Sequence, residues 1–107
     1  MVGKIYLAKI YFTDLSSYKI RPVLIIKELD KNDVVCLQLS SQFKKNRLII
    51  TNNDLIDGKL KKDSIIIIPK NFTLNISVLT KYIGKISNKK LEKIYNQFCN
   101  DIGCENR

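Results

Sequence analysis

Arg21 stands immediately before Pro22 and the apolar run Val23-Leu24-Ile25-Ile26, in a chain whose 107 residues include no histidine. Without His, a Cys-His pair or a carboxylate-rich cluster, the chain lacks the groups of histidine acid–base catalysis and of metal-assisted phosphodiester cleavage. RNA asks less of a protein, because its 2′-hydroxyl is a built-in nucleophile. That oxygen has to be aligned with the phosphorus, and the charge that builds on the phosphoryl oxygens has to be stabilised. A guanidinium suits the second task, since it stays charged and presents a fork of donors matched to phosphate. An adjacent proline, by restricting the backbone, holds such a group in place. Arg21 is therefore the first candidate for this chemistry; the plain alternative is a strand-end arginine paired to a carboxylate.

The charge balance points the same way. Nineteen Lys and Arg against ten Asp and Glu give a net charge of +9 on a 12.4 kDa body. A field that one-sided attracts polyanions and weakens with added salt, which makes nucleic acid the leading partner. The competing reading is that the lysines only solvate the surface, as in many Lys- and Asn-rich chains.

Cys36, Cys99 and Cys104 are odd in number, lie far from C-x-x-C spacing and have no histidine to join them, so they outline neither a zinc site nor a disulfide framework. They read as small buried or half-buried groups in a reducing compartment, with Cys104 free near the tail. No cofactor and no metal are implied. The longest unbroken apolar stretch, Ile65 to Pro69, is far shorter than the roughly 20 residues of a membrane helix. The expectation is a cytoplasmic protein without a membrane partner.

The elements that must position Arg21 follow from pattern. Gly3 to Phe12 is rich in β-branched and aromatic residues and reads as a strand, ended by the polar turn Thr13 to Ser17. A second strand is expected to begin at Pro22 and, being continuously apolar, to be buried on both faces. Val34 to Ser40 and Arg47 to Thr51 read as further strands, joined by the basic connection Ser41 to Asn46. Asn52 to Asp63 is loop-like, Ser64 to Ile68 a strand broken at Pro69, and Leu79 to Ile86 another strand. Leu91, Ile94, Tyr95, Phe98 and Ile102 recur at steps of three and four, which predicts one amphipathic helix with Ser87 as N-cap and Gly103 as C-cap. Many short strands with one terminal helix imply a single domain over residues 1–107, its tail loose from about 103. The fold class is mainly β with a C-terminal helix, the sheet curled into a partial barrel.

Four motifs in order carry a family resemblance. Gly3-Lys4-Ile5-Tyr6-Leu7 followed by Phe12-Thr13-Asp14, then Arg21-Pro22-Val23-Leu24-Ile25-Ile26, resemble the opening strand, loop and Arg-Pro-x-Leu-x-Ile signature of the PemK/MazF family of toxin endoribonucleases. Leu39-Ser40-Ser41-Gln42 is similar to the end of the family's third strand. Lys62-Asp63-Ser64-Ile65-Ile66 and Ile83-Gly84-Lys85-Ile86-Ser87 resemble its later segments. The resemblance spans roughly residues 3 to 98.

It implies an SH3-like barrel, commonly a homodimer, that cleaves single-stranded messenger RNA without a metal and is neutralised by a small antitoxin. By charge complementarity that antitoxin is expected to be acidic. In family terms Arg21 and Ser40 are the catalytic pair: Arg21 falls on the arginine that stabilises the transition state, and Ser40 on the Thr or Ser that holds the scissile phosphate. Ser41 and Gln42 follow as RNA-binding candidates, with Lys19, Lys44 and Lys45 on loops expected to flank the groove. In the segment Pro69 to Leu74, Thr73 fits the family pattern, Lys70 is placed to touch phosphate, and Phe72 either stacks on a base or belongs to the core. Pro69 removes the carboxylate many members carry there, which leaves Asp14 as the candidate base. The alternative to a ribonuclease is a catalytically weakened module of the same fold that binds RNA or antitoxin.

Overall fold

The computed structural model describes residues 1–11, 16–42 and 48–103, apart from the side chains of residues 69 and 70. Among the described residues seven antiparallel strands form one sheet: β1 (Lys4–Tyr11), β2 (Tyr18–Glu28), β3 (Asp33–Ser40), β4 (Ile49–Ile50), β5 (Leu55–Gly58), β6 (Ser64–Asn75) and β7 (Leu79–Ile86). Their order is β4-β6-β3-β2-β1-β7-β5, and the sheet curls into a half-barrel. An α-helix, α1 (Asn88–Ile102), the only one among the described residues, follows β7.

The apolar run of β2 sits at the centre of the sheet and is buried on both faces, as its composition predicts. Leu24 and Ile26 face a core shared with Ile5, Leu37, Leu39, Ile66, Ile86 and Ile94. Val23 and Ile25 face a second cluster with Ala8, Val34 and Cys36. Successive side chains of a strand point to opposite faces, so one run serves both clusters. Helix α1 lies over the first. Ile94 is fully buried there, Leu91 and Phe98 pack against it, and the Tyr95 hydroxyl donates to the carbonyl of Ile26 at 2.5 Å.

The helix begins and ends as expected. The Ser87 hydroxyl accepts the Lys90 amide at 3.1 Å, and Gly103 takes the left-handed conformation, φ 80°, that glycine adopts without a Cβ clash.

Three expectations are corrected. Strand β2 starts at Tyr18, four residues before Pro22. The ladder between β2 and β3 runs only from Val23↔Gln38 onwards, so Pro22 is tolerated where that side of the strand has no partner. Strand β6 does not break at Pro69 but continues to Asn75. Between the pairs Leu39↔Ile66 and Leu37↔Asn71 it carries more residues than β3, so Pro69 sits in a bulge where no regular ladder bond is demanded of it. The segment read as loop contains β5, paired with β7 through Gly58↔Gly84. The backbones approach so closely there that a Cβ on Gly58 would lie 2.0 Å from the Ile83 carbonyl oxygen.

Candidate active site

Arg21 and Ser40 are brought together by the sheet. Strands β2 and β3 pair up to Val23↔Gln38, and two residues further along each strand lie Arg21 and Ser40. By alternation both share the face of Val23 and Gln38. Past the end of the ladder the strands leave a cleft of about 480 Å3, and Arg21, Ser40, Ser41 and Gln42 line it together with Gln38 and Ser64.

The local bonding leaves the site's donors available. Arg21 Nη1 donates to the carbonyl of Ile20 at 3.1 Å, which orients the guanidinium while using one of its five N–H groups. Among the described residues no carboxylate pairs with Arg21; the ion pairs there are Met1–Glu28 and Lys90–Asp54. Ser40 Oγ accepts the backbone amide of Gln42 at 3.1 Å. A hydroxyl that accepts from a turn amide still has its own proton to donate, and the bond fixes the rotamer that serine, unlike threonine, does not fix by β-branching. Ser64, 6% exposed, donates to the Lys62 carbonyl at 3.3 Å. The cleft thus holds a cationic fork, hydroxyls and two side-chain amides, a donor set that fits a phosphate.

Sequence reasoning missed two polar lining residues, Gln38 and Ser64. Gln38 was available to it, since it stands two residues before Ser40 on the same strand. Ser64 was not, because its presence depends on β6 lying beside β3 in the sheet.

Other predicted residues lie elsewhere. Lys19 is within β2, opposite Ile10, rather than on a loop, and does not line the cleft. Phe72 and Thr73 pair with Cys36 and Val35, four and five residues along β3 from Ser40 and so roughly 13–17 Å away at ~3.3 Å per residue. Neither belongs to the cleft; Phe72 is half-buried. Lys70 lies in β6 with its side chain undescribed, and Asp14, Lys44 and Lys45 fall outside the described residues.

The cysteines behave as small apolar groups. Cys36 is buried in the sheet and Cys99 half-buried on α1, both as free thiols, while Cys104 is outside the described residues. Burial pushes the Cys36 thiol up to about 12, because a thiolate there would be stripped of water. Among the described residues no helix is long and apolar enough to cross a membrane.

An all-antiparallel half-barrel with one covering helix and a basic cleft at the β2–β3 end defines a class that comparison identifies. Residues 2–100 match the model of the PemK-like, MazF-like toxins of type II toxin–antitoxin systems, and the chain belongs to that family. A sequence comparison with curated proteins gave no match.

Solved structures share the fold. An endoribonuclease in complex with its cognate antitoxin from Mycobacterial species superposes with a TM-score of 0.73 at 19% identity, over 100% of this chain and 96% of that one. The Mycobacterium tuberculosis toxin MazF-mt6 gives 0.73 at 18% identity, over 95% of this chain and 98% of its own. An endoribonuclease from Mycobacterial species gives 0.71 at 18%, over 100% and 94%. At such identities the likeness concerns the fold.

Proposed function

We propose that this toxin is a metal-independent endoribonuclease of single-stranded RNA. The observation that carries the reading is the meeting of Arg21 and Ser40, far apart in sequence, in one cleft with Ser41 and Gln42. In this reading the scissile phosphate lies against Arg21 and the Ser40 hydroxyl. The 2′-oxygen attacks phosphorus, its proton passing to a base, and the bond to the 5′-oxygen breaks. The products are a 2′,3′-cyclic phosphate and, once the leaving oxygen gains a proton, a 5′-hydroxyl. Arg21 stabilises the charge on the equatorial oxygens, and Asp14 is the candidate base.

The net charge of +9 supports a polyanionic substrate and an acidic antitoxin that covers Arg21. The antitoxin-bound neighbour of the same fold supports such a partner. A homodimer belongs to the same proposal, and sedimentation reads it as twice the 12.4 kDa chain mass.

The test is incubation of the purified protein with a long single-stranded RNA in excess EDTA, beside Arg21→Ala, with the fragment ends mapped. Cuts at a short recurring sequence that end in cyclic phosphate and vanish in Arg21→Ala are expected. RNA left intact across several substrates assigns the chain to the non-cutting binding module instead.

A further inference from the structure

A second cleft opens on the other side of Pro22. It measures about 340 Å3, and its apolar wall is formed by Leu7, Leu60, Ile83 and the Pro22 ring that also borders the Arg21 cleft. Its rim carries Lys59, Lys61 and Lys81, and among the described residues no carboxylate lines it. All three lysines are exposed, and none joins an ion pair among the described residues. Resting on the ribonuclease reading above, we infer that this cleft is a nucleotide subsite, which takes the base of the RNA residue beside the cleaved linkage against its apolar wall and the neighbouring phosphates on its lysines.

The sheet register sets the geometry. Leu7 is opposite Pro22 on one side and Lys81 on the other, so Pro22, Leu7 and Lys81 form one row across β2, β1 and β7. Two strand spacings of ~4.8 Å separate the ends of that row, about 10 Å from the strand that bears Arg21. By alternation this row lies on the sheet face opposite Arg21, and a strand of RNA held at Arg21 meets the cleft by passing round the edge of β2 at Pro22, which lies beyond the ladder with β3 and borders both clefts.

The wall is rigid. Asn52 grips Leu60 with both ends of its amide, donating to the Leu60 carbonyl at 3.2 Å and accepting its N–H at 2.7 Å. The tight Gly58↔Gly84 approach fixes the start of the Lys59–Lys61 segment. At the cleft's edge Tyr82 donates its hydroxyl to Asp57 at 2.5 Å and meets Tyr6 edge-on at 5.5 Å, so an aromatic ring is held there too. An apolar and aromatic surface flanked by cations accepts any base by its face and the backbone by charge. The wall that this cleft shares with the phosphate-binding cleft favours RNA over an acidic peptide as its occupant.

The experiment compares wild type with Lys59→Ala/Lys61→Ala/Lys81→Ala. A control variant, Lys27→Ala/Lys89→Ala/Lys93→Ala, removes the same charge elsewhere. Each is given RNA oligonucleotides shortened stepwise from either end around one cleavable linkage, and all-deoxy oligonucleotides of the same lengths, which lack the 2′-hydroxyl and report binding alone by fluorescence anisotropy.

The expected result is a binding loss and a rise in KM of about tenfold in the rim variant, with kcat within about twofold and the control near wild type. Removing the nucleotide that reaches the cleft should weaken wild type more than the rim variant, which keeps the apolar wall and lacks only the cations. Wild type that cuts RNA, with a rim variant indistinguishable from the control, overturns the subsite and spares the ribonuclease. Length- and lysine-dependent binding of deoxy strands without RNA cleavage keeps the subsite and removes the ribonuclease. Failure to bind any strand overturns both. If the rim variant instead loses an acidic partner protein while its RNA binding is unchanged, the subsite assignment falls and the cleft belongs to that protein.

Discussion

The two clefts on either side of Pro22 are built from opposite materials. The one at Arg21 is lined by a guanidinium, hydroxyls and amides; the one at Leu60 is lined by aliphatic side chains and Tyr82, with lysines at its rim. A planar fork of donors has a preferred geometry and can favour one arrangement of phosphoryl oxygens over another, which is what lowering a barrier requires. Apolar wall and point charges bind ground state and transition state alike, so they hold substrate without accelerating it. The division predicts that damage to the first cleft appears in kcat and damage to the second in KM.

The largest effect is expected at Arg21. Arg21→Ala should lower kcat by roughly 10²–10³-fold, the usual cost of removing a donor aimed at developing charge. Arg21→Lys should recover little, because a lysine keeps the charge and loses the fork. A variant whose loss lay in KM alone would erase the contrast between the clefts. Ser40 comes next. Deleting a hydrogen bond to a charged group costs ~1.5–3 kcal/mol, so Ser40→Ala should lose about 10–100-fold in single-turnover rate, while Ser40→Thr, which keeps the hydroxyl, should stay near wild type.

The second cleft should show itself through salt. Each phosphate contact to a single strand adds about 0.7 to the slope of log affinity against log salt concentration. The rim variant should therefore flatten that slope by up to about 2, with Arg21 chemistry intact in single-turnover measurements at saturating RNA. An unchanged slope would mean that the three lysines face solvent and nothing else.

The two clefts also differ in how far the sequence reveals them. Arg21, Ser40, Ser41 and Gln42 sit at or just past strand ends in two short motifs, and period-two alternation extends the group to Gln38. The second cleft draws on residues near 7, 22, 60 and 82, which only the order β2-β1-β7-β5 brings together. Asn52, Asn53, Asp57 and Gly58 are turn formers, so residues 52–63 read as loop, which holds for Lys59–Lys61 but hides β5. In the fold, Asn52 serves to pin Leu60, and Gly58 to admit Gly84. Pro22 and Pro69 misled for a related reason. A missing N–H forbids a strand only where a ladder bond is demanded, and both prolines stand where none is.

The smallest expected effect separates holding the ring from using it. The hydrogen bond to the Asp57 carboxylate pushes the Tyr82 phenol up from 10.0 to about 12, with loss of surrounding water adding to it. A folded-state value above the unfolded one means that folding favours the protonated phenol. The stabilisation is therefore present in full below pH 10 and fades as pH rises through about 12. Burial also raises the Tyr95 phenol, so absorbance at 295 nm should show one fewer late-titrating tyrosine in Tyr82→Phe than in wild type, and the variant should lose part of the decline in unfolding midpoint over that window. At neutral pH Tyr82→Phe keeps the ring and loses the tether, so a modest rise in KM with kcat unchanged is expected. A fall in kcat instead would mean that the apolar cleft takes part in aligning the reacting phosphate, and that the division at Pro22 is not one between chemistry and grip.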